Sequence, residues 1–174
     1  AAAFEQLCKN LRFSDDNLSK ISNRYHSITK RINTDYWETS SDSAHSLYVG
    51  SYGRDTEIFT SDIDMLVQLP YSTYEKFNAY TSNGQSALLQ EVKKVIEKTY
   101  SVTNLKADGQ IISVPFSDGI NFEVLPAFIN KDGNSYTFAN SNNGGSWKVT
   151  NPRAEIAEIQ SMNCLLYTSP SPRD

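Results

Sequence analysis

Gly50-Ser51-Tyr52-Gly53-Arg54-Asp55-Thr56-Glu57-Ile58-Phe59-Thr60-Ser61-Asp62-Ile63-Asp64-Met65-Leu66-Val67 is the stretch on which the reading of this chain turns. A short strand over 46–49 closes on Gly50-Ser51, a short helix is expected next, and a second strand opens on Asp-Ile-Asp. Gly50 permits a sharp turn and a close approach of the backbone to a ligand. Ser51 falls where the next helix begins. Its hydroxyl and the backbone N–H groups there suit phosphate oxygens, helped by the helix dipole. Asp62 and Asp64 are two apart on a strand, so both point to one face, roughly 6–7 Å apart along it. Two carboxylates so close repel unless a cation lies between them. Oxygen ligands together with phosphate chemistry make Mg²⁺ the natural cation. Ile63, Leu66, Val67 and Leu69 anchor that strand in a core, and a rigid strand positions ligands better than a loop.

A third acid lies downstream in Ile120-Asn121-Phe122-Glu123-Val124-Leu125-Pro126-Ala127. Glu123 is flanked by Phe122 and Val124, which would face the opposite side of the sheet. A lone buried carboxylate is costly or titrates to neutral. Sharing a metal with Asp62 and Asp64 removes that cost, whereas an exposed edge-strand glutamate would need no partner. Three acids can hold two metals about 3.5–4 Å apart, an arrangement that supports in-line phosphoryl or nucleotidyl transfer. Gly-Ser alone and Asp-x-Asp alone are common. Gly-Ser, an Asp-x-Asp beginning eleven residues after that serine, and a strand acid further on are informative as a set.

Toward the N-terminus, Phe4, Leu7, Cys8 and Leu11 fall at helical spacing over 2–12. Ser14 or Asp15 caps a second helix, with Leu18, Ile21, Tyr25, Ile28 and Ile32 as its apolar face. It should end in Thr39-Ser40-Ser41-Asp42-Ser43. Toward the C-terminus the pattern is mixed: a strand over 63–69, a helix over 87–98, and strands over 101–105 and 110–116. An Asp118-Gly119 hairpin turn leads to a returning strand over 120–127. Asp132-Gly133 marks another turn, and weaker strands follow over 136–139 and 147–149, separated by Asn142-Asn143-Gly144-Gly145. Pro152 suits the first turn of a last helix containing Ala154, Ile156, Ala157 and Ile159.

The 174 residues amount to about one domain, long enough to bury a real core. No apolar run approaches the roughly 18 residues of a membrane span, and Ala1 to Lys9 lack the pattern of a signal peptide. Two cysteines make no disulfide framework, so a cytoplasmic, reducing location is expected. A net charge of −4 argues against a general nucleic-acid binder. The last stretch, Cys164-Leu165-Leu166-Tyr167-Thr168-Ser169-Pro170-Ser171-Pro172-Arg173-Asp174, breaks the pattern before it. It is similar to the translation of a sequencing-library adapter. The expectation is a native domain over 1–163 (N-terminal helices over 2–38, catalytic sheet and helices over 45–150, start of a C-terminal helix over 152–163), followed by a non-native tail over 164–174.

The Gly-Ser and Asp-x-Asp arrangement with Glu123 resembles the active site of the DNA polymerase β-like nucleotidyltransferases. Gly50-Ser51-Tyr52-Gly53-Arg54-Asp55-Thr56 with Ser61-Asp62-Ile63-Asp64 is similar, more narrowly, to the bacterial relatives of cyclic GMP-AMP synthase, the CD-NTases, whose catalytic region is the SMODS domain. Phe122-Glu123-Val124-Leu125-Pro126-Ala127-Phe128 resembles their third-acid strand. Trp147 with Thr150-Asn151-Pro152-Arg153-Ala154-Glu155-Ile156 resembles the lead into their C-terminal helices. The resemblance implies an α+β fold: a mixed, mostly antiparallel sheet flanked by helices, with the C-terminal helical domain largely missing. It also implies joining of nucleoside triphosphates (ATP, GTP or others) into cyclic di- or trinucleotides, in bacterial anti-phage signalling through an effector that the product reaches. Two Mg²⁺ ions, with Mn²⁺ as a substitute, would sit on Asp62, Asp64 and Glu123. Gly50, Ser51, Tyr52, Arg54 and Thr56 would hold the nucleotide. Most relatives carry Asp where Glu123 stands, and glutamate is one methylene longer. Without a C-terminal half to close the cleft, weak activity and poor stability are expected.

Other candidates are less telling. Arg54 reads as a phosphate contact or a solvated helix residue, and Thr56 and Gln110 as site edge or surface. His26 and His45 lack ligand partners at metal spacing and read as structural or exposed. Lys93, Lys94 and Lys98 read as a solvated helix face, and Tyr25 and Tyr36 as packing against the sheet. The competing functions are another polymerase β-like transferase, acting on RNA ends or a small molecule, and a catalytically silent nucleotide-binding module.

Overall fold

Residues 15–50 and 62–154 are described by the computed structural model. The helix expected over 2–12, the helix expected after Gly50, most of the last helix and the tail over 164–174 lie outside these residues.

Helix α1, Asp15–Tyr36, opens with Asp15 and Asp16 in its first turn, where carboxylates complement the helix dipole. Ile21, Tyr25, Ile28 and Ile32 are buried as their spacing predicts. Leu18 is 39% exposed: apolar spacing marks a helix face, not the point at which the partner layer stops. Thr29 and Asn33 are fully buried on the same helix, and both are satisfied. Thr29 Oγ1 donates to Ser46 Oγ at 2.9 Å. Asn33 Nδ2 donates to the carbonyls of Ser41 and Ala44 at 2.9 and 2.7 Å. His45 Nδ1 stands 2.7 Å from Asn33 Oδ1, and its ring stacks on Trp37 at 4.0 Å. Burial lowers the His45 pKa, and because Asn33 Oδ1 can only accept, His45 Nδ1 is the donor of this hydrogen bond. This polar knot fixes the chain as it enters the sheet.

The strands are β1 (Ser46–Val49), β2 (Asp62–Gln68), β3 (Lys106–Asp108), β4 (Ile111–Pro115), β5 (Asn121–Ile129), β6 (Tyr136–Asn140) and β7 (Ser146–Thr150). They run in the order β1-β2-β5-β4-β3, with β6 pairing the end of β5 and β7 pairing β6. Only β2 and β5 pair in parallel among the described strands. The sheet is mixed, mostly antiparallel and flanked by helices, as expected. The strand expected over 101–105 does not form. Local turns consume that backbone: Thr103 N–H donates to Tyr100 O and Leu105 N–H to Thr103 O. β3 begins one residue later. The Asp118-Gly119 turn does join β4 to β5, with Gly119 at φ +90° and Phe116 N–H on Ile120 O.

Helix α2, Tyr71–Asn78, was not legible from periodicity, because Phe77 is its one buried residue and Tyr74 is only partly buried. Helix α3, Gly84–Glu97, starts three residues before the expected position because Asn83 caps it. Asn83 Oδ1 accepts from Ser86 N–H at 3.0 Å. Leu88, Leu89, Val92, Val95 and Ile96 form the buried face of α3. Residues 152–154 are helical, with Pro152 buried.

The two sheet faces differ. Ile63, Met65 and Val67 of β2 join Ile112, Val114, Phe122, Val124 and Phe128 beneath α1 and α3 in one large core. The opposite face carries a smaller cluster of Leu66, Ala127, Tyr136 and Phe138, with Leu47, Val49 and Leu125 against it. By strand alternation Asp62, Asp64 and Glu123 fall on this second face. No helix among the described residues is long and apolar enough to cross a membrane.

Candidate active site

Parallel pairing of β2 with β5 sets Asp64 opposite Glu123 and Asp62 opposite Asn121. Paired residues on adjacent strands share a face, so Glu123 lies on the same side of the sheet as the two aspartates. Its carboxyl is hydrogen-bonded to that of Asp64. That hydrogen bond, burial, and the negative charges of Asp64 and Asp62 push the Glu123 pKa up to about 7. Carboxyl groups set this close repel one another, and that repulsion disfavours the ionised form of Glu123.

Gly50 closes β1 beside this pair. Val49 is the register partner of Asp64, and Gly50 adopts φ +63°. A Cβ on Gly50 would lie 3.0 Å from Asp64 Cγ and would overlap its Oδ2. Glycine is required here twice over, by the backbone angle and by the approach of the carboxylate.

Asp62 is held differently. Asn121 Nδ2 donates to Asp62 Oδ1 at 3.1 Å, and Ser113 Oγ donates to Asn121 Oδ1 at 2.9 Å. Two of the three expected carboxylates therefore meet, while Asp62 rests on Asn121 one face-position along the ladder. Among the described residues no three acidic, His or Cys side chains already close round one point. The donor chemistry nevertheless fits a hard divalent cation. Asp64 and Glu123 are paired oxygen donors with a repulsion that a cation relieves, Asp62 lies on the same face, and Gly50 makes room for the Asp64 carboxylate.

Of the nucleotide-binding residues expected from the sequence, Gly50 is placed at the site. Ser51, Tyr52, Arg54 and Thr56 lie outside the described residues. Gln110 lies in the β3–β4 turn, between Asp108 and Ile111. His26 and His45 take part in the packing of α1 against 41–45. Lys98 pairs with Asp35 and Lys93 with Glu97. Tyr25 stacks on Tyr48 of β1 at 4.0 Å, and the Tyr36 hydroxyl donates to Glu91 Oε2 at 2.9 Å. A cavity of about 440 Å³ opens at the far end of β5, lined by Tyr71, Tyr74, Phe128, Asn130, Lys131 and Thr137 among others. Among the described residues no acid lines it. Sequence reading passed over Asn121 and Ser113. Asn121 was within reach, being two residues from Glu123 on one face; Ser113 becomes a neighbour only through the β4–β5 register.

The family model that matches this chain, over residues 1–163, describes a Second Messenger Oligonucleotide or Dinucleotide Synthetase (SMODS) domain. Among solved structures, the chain is similar to the Bradyrhizobium diazoefficiens CD-NTase CdnG in complex with GTP, with a TM-score of 0.66 and 15% identity over 85% of this chain and 43% of that one. It is similar to the Elizabethkingia meningoseptica CdnE cyclic dinucleotide synthase with GTP and Apcpp, with a TM-score of 0.61 and 15% identity over 90% of this chain and 61% of that one. It is also similar to E. coli MS115-1 CdnC with ATP, with a TM-score of 0.59 and 14% identity over 91% of this chain and 47% of that one. The chain thus spans about half the length of the structures it matches. No curated protein sequence matches it.

Proposed function

The chain belongs to the SMODS domain family, and from that premise we propose that it forms the catalytic part of a divalent-cation-dependent nucleotidyltransferase. The reaction joins nucleoside triphosphates into a cyclic di- or trinucleotide, releases pyrophosphate, and serves bacterial anti-phage signalling through an effector. The observation that carries this reading is the meeting of Asp64 and Glu123 across parallel strands, beside a glycine whose Cβ position the Asp64 carboxylate fills.

Asp62, Asp64 and Glu123 would hold two Mg²⁺ ions, with Mn²⁺ as a substitute. When bound, such ions acidify an acceptor hydroxyl and neutralise charge on the donor triphosphate. Glu123 would be the ligand nearest the attacking ribose hydroxyl. That hydroxyl forms the new bond to the α-phosphorus, and the bond from phosphorus to pyrophosphate breaks. A second transfer closes the ring. The bare Gly50 backbone makes room for the Asp64 carboxylate, and Ser51, Tyr52, Arg54 and Thr56 would hold the nucleotide.

The test uses this domain in a protein of the length of the matched structures, given four labelled nucleoside triphosphates and Mg²⁺. A phosphatase-resistant cyclic product is expected, and Asp64→Ala should remove it. An extended RNA would favour a tailing enzyme, and no product would favour a silent nucleotide-binding module. The 174-residue chain alone is expected to turn over weakly, since it spans only 43% and 61% of two matched structures and cleft closure in the family needs their remaining helices.

A further inference from the structure

Ser113, Asn121 and Asp62 come from three neighbouring strands, β4, β5 and β2, and form one hydrogen-bonded chain on the carboxylate face. Each end of the Asn121 amide has a fixed role. An ionised carboxylate only accepts, so the amide must turn its NH₂ to Asp62 Oδ1. Its carbonyl then faces Ser113, whose hydroxyl donates and locks that orientation. We propose that Asn121 is a positioning residue that fixes the plane of the Asp62 carboxylate for cation binding, with Ser113 setting the amide. The proposal rests on the divalent-cation reading of the site and adds to it the residues that aim its most exposed acid.

The physical argument is one of charge and reach. Asp62 is exposed and shares a face with two carboxyl groups that already repel it. A neutral N–H donor restrains it without cancelling the charge that a cation needs. An ionised carboxylate presents about four lone-pair sites, and Asn121 takes one of them. A lysine or arginine at 121 would compete with the cation, and another acid would add to the repulsion. Hydrogen bonds of this kind to a ligating carboxylate are typically worth about 10- to 100-fold in metal affinity.

The experiment is a Mn²⁺ titration of the 174-residue chain, followed by the electron paramagnetic resonance of free Mn²⁺, with apo thermal unfolding of each variant measured beside it. Asn121→Ala is expected to weaken Mn²⁺ binding by about 10- to 100-fold with the apo midpoint little changed. Ser113→Ala should act in the same direction by a smaller factor, and in Asn121→Ala the further change Ser113→Ala should add nothing. If Asn121→Ala folds poorly, Asn121→Gln, which shifts the amide by one methylene, should show the same weakening. Unchanged or tighter binding in Asn121→Ala or Asn121→Gln, while Asp64→Ala loses it, overturns the positioning role and leaves the cation site standing. Absence of Mn²⁺ binding in the unsubstituted chain overturns both.

Discussion

Gly50 carries the most constrained backbone position described at the site. An alanine there meets two penalties: about 1–2 kcal/mol for an L-residue in the left-handed region, and overlap with Asp64. Gly50→Ala is therefore expected to lower the unfolding free energy by at least that amount and to abolish turnover in the longer protein. Denaturant unfolding together with the nucleotide assay checks this; an active, fully stable variant would refute the close approach. The same residue illustrates how much a motif conveys. Gly-Ser before a strand acid points to a turn near a phosphate, but that the glycine is packed against Asp64 in particular follows from the β1–β2 register.

The elements are tied by a few polar contacts that hydrophobic periodicity does not reveal. Glu91 on α3 accepts from the Tyr36 hydroxyl of α1 at 2.9 Å and from Lys76 of α2 at 2.7 Å. Burial, then the charge and hydrogen bond of Glu91, push the Tyr36 pKa up, so the phenol stays a donor. Glu91→Ala leaves that half-buried hydroxyl unpaired and should destabilise the fold by about 1–3 kcal/mol in thermal or denaturant unfolding. Arg24 of α1 forms a two-point contact with Asp118 in the β4–β5 turn, at 3.2 and 2.8 Å. The Arg24 hydrogen bond, above all, lowers the Asp118 pKa. A carboxylate whose folded pKa is depressed adds stability above its unfolded pKa of about 3.9, and that stability is lost as pH falls through the lower folded value. Arg24→Ala should cost about 1 kcal/mol at neutral pH. Its unfolding curve should converge with that of the unsubstituted chain at the acid end, and a difference independent of pH would contradict the pairing.

At the scale of the molecule, one sheet separates two environments. Its helix-covered face holds the large apolar core, and its other face sets the carboxylates beside a smaller apolar cluster. Arg153 stands over the Tyr136 ring at 5.6 Å, so the chain after β7 begins on that second face. The apolar cluster keeps β2 and β5 rigid under the acids, and rigidity is what a precise ligand set requires.

Alternation and turn chemistry determined much of this from the sequence: the strand pair bearing Asp62, Asp64 and Glu123, the hairpin at Asp118-Gly119, and the buried faces of α1 and α3. Those signals are local, because a strand repeats every two residues and a helix about every 3.6. The tertiary structure alone decided the rest. It set β5 parallel to β2, so that Glu123 meets Asp64, and brought Ser113 to Asn121 and Asn121 to Asp62. It replaced the strand over 101–105 with turns and gave α2 a place through Phe77 and Tyr74. Register between strands distant in sequence leaves no periodic trace in either one. It is fixed by packing across the whole sheet, and with it the contacts that aim the acids.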